Sequence, residues 1–345
     1  MAVAAKAGKC RVWRVKPQAA TPERTYSPMQ QRPDAWTLSD GHAGNVRQAQ
    51  ALVAALGAAS PREWTLQARA PWRWLSPRRL PAARNAFGAA FAHALAFPPQ
   101  LAIGCGRQAA LATRLLRERG ARAVQILDPR IDPRHWDVVI APEHDGLGGD
   151  NVITLLGSLH PVDDLWLAAS RQQFAAFAQL PQPRTAVLLG GTSAHGSVDL
   201  EALAHGLDAL AAYVAREGGS VLATTSRRTP APARALLREK LGTLAGVTWC
   251  DAGDGPNPYA GLLGWADRIV CTADSVNMLS EAAATNAPVF VSGHDAISGR
   301  PRRFVDSLIA RGRIRALDES LVPFAVTPLR ETARVATEVR TRLGL

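Results

Sequence analysis

Twice in this chain a short apolar run ends in a glycine-containing polar loop and passes at once into a helix. Ala35-Trp36-Thr37-Leu38 leads into Ser39-Asp40-Gly41-His42-Ala43-Gly44-Asn45 and a helix reaching about Leu56. Thr185-Ala186-Val187-Leu188-Leu189 leads into Gly190-Gly191-Thr192-Ser193-Ala194-His195-Gly196 and a helix from about Val198 to Arg216. A strand followed by a helix and then a second strand can return beside the first only as a parallel crossover. Both openings are followed by more such units. The pattern therefore predicts an α/β chain built as two Rossmann-like domains, their parallel sheets facing each other across a cleft.

The remaining strands fall in two groups. Leu101 to Ile103, Ala123 to Leu127 and Val138 to Ala141 belong to the first half; Val221 to Thr224, Val247 to Cys250, Ile269 to Cys271 and Val289 to Val291 belong to the second. Leu165 to Leu180 reads as a helix leaving the first domain, and Pro181 and Pro183 punctuate the boundary. The expected organisation is a disordered basic tail at 1–32, an N-terminal domain at 33–160, a linker helix at 161–183, a C-terminal domain at 184–325, and a final helix at 326–345 that packs back on the first domain. At 345 residues the chain exceeds what one small core serves.

The balance of charge narrows the partners. A net charge of +11 permits attraction to nucleic acid, anionic membrane or phosphorylated substrates. No zinc-finger spacing, homeodomain-like or RNA-recognition motif, or aromatic-basic strand is present, which argues against nucleic acid. Trp64, Trp72 and Trp74 lie among arginines and prolines, where they either cover a core edge or touch an anionic membrane surface. The four cysteines show no CxxC spacing, which fits a reducing cytoplasm, and no apolar run is long enough to span a bilayer. The expected location is cytoplasmic, with peripheral contact at the inner face of the plasma membrane.

The loops at strand ends hold the chemistry-bearing residues. In the second half, Asp274 and Ser275 precede a helix carrying Asn277, Met278 and Glu281, stopped by Pro288. Free N–H groups at such a helix start favour an anion, and a carboxylate under two turns deeper can hold a ribose diol. The alternative is that Ser275 or Asp274 only caps the helix and Glu281 is solvated. Thr225, Ser226 and Arg227 form a hydroxyl and guanidinium group suited to phosphate oxygens or to a cap. In the first half, Asp40 and His42 can act together as a base, or Asp40 can cap and His42 pack. Arg107 and Arg130 follow strands where they could meet phosphate or carboxylate, and Glu143 and His144 follow another as further candidate bases. No Asp-x-Asp pair follows a buried strand, no His/Cys cluster has metal spacing, and no GxGxxG, GxSxG or P-loop motif occurs, so no metal or other cofactor is expected.

Together, Ser39 to Asn45, Ile103-Gly104-Cys105-Gly106-Arg107, Gln125 to Arg130, Ala141 to Asp145, Thr224 to Pro230, Asn257-Pro258-Tyr259 and Thr272 to Ala282 resemble the mitochondrial fission "elongated mitochondria" family, over nearly the whole folded chain. Bacterial members of that family are regarded as glycosyltransferases of cell-envelope glycans, including lipopolysaccharide. The second half is also similar to the nucleotide-sugar domain of GT-B glycosyltransferases. The resemblance implies a metal-independent GT-B enzyme. Donor contacts would come from Gly191, Thr192, Ser193, Thr225, Ser226, Arg227, Asn257, Ser275, Asn277, Met278 and Glu281. Gly41, Asn45, Arg107, Arg130 and His144 would hold the acceptor, with Asp40, His42 or Glu143 catalytic. The implied partners are a nucleotide-sugar and a glycan or lipid-linked acceptor. An epimerase of the same fold and a non-catalytic adaptor remain alternatives, and Asp274 would place negative charge near the diphosphate unless Arg227 or Arg228 compensates.

Overall fold

The computed structural model describes residues 34–192, 198–318 and 320–345. The N-terminal stretch read as a basic tail lies outside them, as does Ser193. In the first half β1 (Asp34–Ser39), α1 (Ala43–Ala55), β2 (Ala59–Thr65), α2 (Trp72–Leu75), α3 (Ala89–Ala94), β3 (Leu101–Cys105), α4 (Arg107–Arg117), β4 (Arg122–Ile126), β5 (Val138–Pro142) and β6 (Val152–Leu155) follow in order. Then α5 (Asp164–Gln173) leads to β7 (Arg184–Leu189), α6 (Leu200–Glu217), β8 (Ser220–Thr225), α7 (Ala231–Leu241), β9 (Gly246–Trp249), α8 (Tyr259–Trp265) and β10 (Arg268–Thr272). The chain ends with α9 (Val276–Ala283), β11 (Val289–Ser292), α10 (Gly299–Ala310), β12 (Ile314–Ala316) and α11 (Thr332–Leu343).

Two parallel sheets result, ordered β2-β1-β3-β4-β5-β6 and β12-β11-β10-β7-β8-β9. All residues of β3, β5, β7 and β8 are buried, as expected of strands covered by helices on both faces. This is the GT-B-like arrangement of two Rossmann-like sheets. Three strands were not expected from sequence, and β2, β6 and β12 all lie at sheet edges. The strand β2 contains Pro61, which edge pairing tolerates, and its register shifts near Asp34. The helix expected over 165–180 stops at Gln173 and continues as a 3-10 turn from Ala175 to Gln179. Asp163 caps its start by accepting the Trp166 N–H at 2.7 Å.

The last helix crosses back to the first sheet. Its apolar stripe, Val335, Ala336, Val339 and Leu343, is buried with Leu52 and Val53 of α1 and with Leu101 and Ile140 of the sheet. Glu331 accepts the Leu156 N–H at 2.6 Å, and the Arg340 guanidinium donates to the Ala55 carbonyl at 2.5 Å. The halves also meet at Gly157, where an added Cβ would lie 2.5 Å from Ser280 Oγ. Beside it Phe304 of α10 packs on the His144 ring at 5.7 Å between centroids. Phe304 is fully buried, so Phe304→Ala should cost about 3–5 kcal/mol in urea unfolding, combining lost transfer energy with a cavity that cannot collapse between two sheets.

Candidate functional site

In open parallel sheets ligands bind beyond the carboxyl ends of the strands, where the strand order reverses. The reversal falls between β1 and β3 in the first sheet and between β7 and β10 in the second. Loops 39–45 and 106–107 leave the first pair; Gly190–Gly191 and Thr272–Ser275 leave the second. The two points face each other. A Cβ on Gly44 would lie 1.8 Å from Asn277 Nδ2, and Gln48 Nε2 donates to Asn277 Oδ1 at 3.4 Å.

On the first side, Asp40 Oδ1 accepts from Asn45 Nδ2 at 2.9 Å and from the His42 N–H at 3.1 Å, and His42 Nδ1 lies 2.9 Å away. Burial pushes the Asp40 carboxyl up, but hydrogen bonds from Asn45 and His42 pull harder and hold it below the ordinary value. Gly41 takes φ +82°, which lets the loop turn tightly enough to form this cluster. Asn45 in turn sits against Gly106, where a Cβ would approach its Nδ2 to 2.7 Å. The His42 ring is exposed, and its Nε2 has no partner among the described residues. A carboxylate orienting an imidazole in this way leaves a nitrogen able to take a proton.

On the second side the glycine loop is braced by side chains. Thr272 Oγ1 accepts the Gly190 N–H at 2.8 Å and donates to Asp274 Oδ1 at 2.7 Å, while Asp274 Oδ2 accepts the Gly191 N–H at 2.7 Å. The Arg228 guanidinium lies 3.8 Å from the same carboxylate. Asp274 is thereby turned into the loop, with Arg228 beside it. Ser275 is buried at the start of α9 and makes no capping bond with its side chain. Thr225 donates to the Cys250 carbonyl at 2.6 Å, Ser226 bonds the Thr229 hydroxyl at 3.0 Å, and Asn257 accepts the Tyr259 N–H at 2.9 Å. These three shape loops, whereas Arg227 and Thr192 are exposed and Met278 packs against the core.

Between the sides lies a buried group that sequence reading missed except for Glu281. Arg47 Nε on α1 pairs with Glu281 Oε1 on α9 at 2.9 Å, and its guanidinium stacks over the Tyr259 ring at 5.1 Å. Burial raises the Glu281 pKa, with Arg47 opposing. The Tyr259 hydroxyl is buried beside the Glu281 carboxylate, whose pKa it helps to pull down against burial, and His160 Nδ1 is buried without a hydrogen-bond partner among the described residues. Burial, then the Arg47 charge, lowers the His160 pKa to about 4. No local motif marks Arg47, which reads as one more surface arginine on a helix.

Four expected site residues have other roles. Glu143 is half exposed and pairs with Arg311 at 3.3 Å, so its carboxylate ties the halves on the surface. The His144 ring is buried against Phe304 with its pKa lowered by burial, closed in rather than offered to an acceptor. Arg107 donates to the Arg73 and Trp74 carbonyls at 3.0 and 3.2 Å, holding α2. Arg130 pairs with Asp128 at 3.2 Å, which Arg300 of α10 also reaches at 3.2 Å. Arg300 Nε further holds Asp145 at 3.0 Å.

His160 yields a pH prediction. Because its folded pKa lies below the ordinary 6.5, the stability it contributes is complete above pH 6.5 and is lost as pH falls toward 4. The loss is on the order of 3 kcal/mol. Urea midpoints measured from pH 7 to pH 4 should fall less steeply in His160→Gln, which cannot take up the proton.

Residues 43–343 match the family described as Mitochondrial fission ELM1. The Mitochondrial fission protein ELM1 of Arabidopsis thaliana is 32% identical over 280 residues, covering 71% of this chain and 64% of that protein. The chain thus spans less than two-thirds of that relative. An uncharacterized protein of Rickettsia prowazekii is 24% identical over 354 aligned residues, covering 90% of this chain and 98% of its own. Among solved structures, a Listeria monocytogenes protein assigned as a UDP-N-acetylglucosamine 2-epimerase has the same fold, with TM-score 0.55, 11% identity, and coverage of 90% of this chain and 97% of that one. On the family match and the Arabidopsis relative, the chain belongs to the mitochondrial fission ELM1 family.

Proposed function

We propose that this protein is a glycosyltransferase that moves a sugar from a nucleotide-sugar to a hydroxyl of a cell-envelope glycan or lipid-linked acceptor. The observation that carries the reading is Glu281. Its raised pKa means that the stability tied to its protonated form, complete below pH 4.5, is lost as pH rises through the folded value. An ionised carboxylate there works against folding at neutral pH, and such groups gather at functional sites. It lies on the helix that starts at the second strand-order reversal, where a ribose diol is the fitting partner.

In this scheme the diphosphate lies on the N–H groups at the start of α9, beside the glycine loop whose own N–H groups Thr272 and Asp274 hold, with Arg227 adding positive charge. The ribose hydroxyls compete with Arg47 for Glu281. His42 Nε2, oriented by Asp40, takes the proton of the acceptor hydroxyl as its oxygen bonds to the anomeric carbon. The bond from that carbon to the diphosphate oxygen breaks, and the nucleoside diphosphate leaves with the electron pair. No cofactor enters the scheme, because N–H groups and guanidinium take up the leaving-group charge.

Calorimetric titration with nucleoside diphosphates and their sugars tests it. Glu281→Ala should weaken binding about tenfold or more, the loss of one to two charge-assisted hydrogen bonds. Asp40→Asn should bind the nucleotide normally and lose turnover. Unchanged affinity in the Glu281 variant counts heavily against the donor site. The Listeria likeness supplies a second reading, a nucleotide-sugar epimerase on the same fold; a changed sugar nucleotide without acceptor would favour it. The name of the Arabidopsis relative supplies a third, an adaptor without catalysis, favoured if no nucleotide binds.

A further inference from the structure

From Trp64 to Arg117 the sequence has no acidic residue and eight arginines. The structure lays much of this stretch along α4. Arg107 holds the carbonyls of Arg73 and Trp74, Arg114 donates to the Pro77 carbonyl at 2.6 Å, and Glu118 pairs with Arg79 at 2.9 Å. Three contacts along one helix thus fix the segment from Arg73 to Arg79 on the outside of the first half. Trp74 is 62% exposed on it and Leu75 is 40% exposed, and Arg73, Arg78 and Arg79 are exposed beside them. The segment continues into a groove of about 710 Å³ bordered by Arg79, Leu80, Arg84, Leu95, Arg119 and one carboxylate, Glu118, which Arg79 pairs. Phe97, 75% exposed, follows two residues after Leu95. Among the described residues seven large hydrophobics are exposed, and three of them fall in this acid-free stretch.

From this we infer that the α2–α4 face of the first half docks on an anionic lipid bilayer. Charge complementarity identifies the partner: arginine guanidiniums attract lipid phosphates, and the one carboxylate bordering the groove, Glu118, is taken up by Arg79 and leaves Arg73, Arg78 and Arg84 in excess. The apolar members favour lipid over nucleic acid. Tryptophan suits headgroup depth and an exposed leucine suits the acyl boundary, whereas base stacking has no use for Leu75. Attachment is peripheral, since no helix among the described residues is long and apolar enough to cross a membrane. The face also abuts the candidate site. Arg107, which holds Trp74, follows directly on Gly106, the glycine against which Asn45 packs. Docking there brings the mouth of the cleft to the bilayer surface. Docking by this face requires no catalysis.

Flotation of the full chain with vesicles of phosphatidylcholine, alone or mixed with phosphatidylglycerol, tests it. The protein should float with the mixed vesicles, release at high salt, and ignore neutral ones. Trp74→Ser/Leu75→Ser and Arg78→Glu/Arg84→Glu should each weaken binding about tenfold or more, with unchanged melting temperature because the residues are exposed. Leu165→Ser, at an exposed position on α5, should bind like the original chain. Failure to bind mixed vesicles, equal binding by the stripe variants, or binding to an RNA duplex in preference to vesicles would each overturn the docking. A chain that floats but binds no nucleotide would leave docking intact and count against the proposed transferase alone.

Discussion

Glu281 and Arg47 form an ion pair where few charges are tolerated, between two sheets that each have a complete apolar interior. Removing a carboxylate from water is costly, and one guanidinium at 2.9 Å does not restore its ordinary pKa. The pair therefore couples the relative placement of the halves to the charge of a single side chain. Arg300 makes a comparable buried link to Asp145, whereas the cross-links at the surface are less demanding. Arg311 to Glu143 is half exposed, and Arg303 reaches only the His144 carbonyl, so both remain close to water when separated. Whatever enters between the strand-order reversals must deal with Arg47 first, because it lies over Tyr259 and on Glu281 together.

The glycine loop of the second half shows the opposite economy. Thr272, Asp274 and the N–H groups of Gly190 and Gly191 satisfy one another inside the loop. A carboxylate in that setting is structural, and its near neighbour Ser275 is left to face the helix start. The Asp40 cluster is similar in construction, with Asn45 and His42 around one carboxylate, but it ends in an exposed imidazole. Two carboxylates at comparable places in the two halves thus differ in what they leave available: one ends its network in the backbone, the other in a titratable ring.

What could be read from sequence was local. The strand, loop and helix openings at 35–56 and 185–216 carry their own signals, because apolar runs, glycines and helix periodicity lie within a few residues of each other. Asp40, His42 and Asn45 were legible for the same reason. The edge strands β2, β6 and β12 were not: β2 opens on Ala59-Ser60-Pro61-Arg62, which looks like a loop, and β6 and β12 span only 4 and 3 residues. Arg47 escaped notice because its partner lies on the other half of the chain and nothing in its neighbourhood differs from an ordinary surface helix. The contacts of Glu143 and Arg107 were not legible, because a place after a strand fixes the position of the backbone but not the direction of the side chain. In both cases the side chain runs outward to hold a neighbouring element.

The last helix has a consequence for biosynthesis. Val335, Ala336, Val339 and Leu343 supply one wall of the first sheet's interior, although they follow the entire second half in the chain. Until they emerge, α1 presents the side of Leu52 and Val53 to water, and the amino-terminal half waits, nearly complete, through synthesis of the entire second half. A prematurely terminated product would carry that apolar wall uncovered and be a natural client for chaperones. The order of emergence thereby ties the first domain to synthesis of the second: only a chain that extends through Leu343 closes its own first domain.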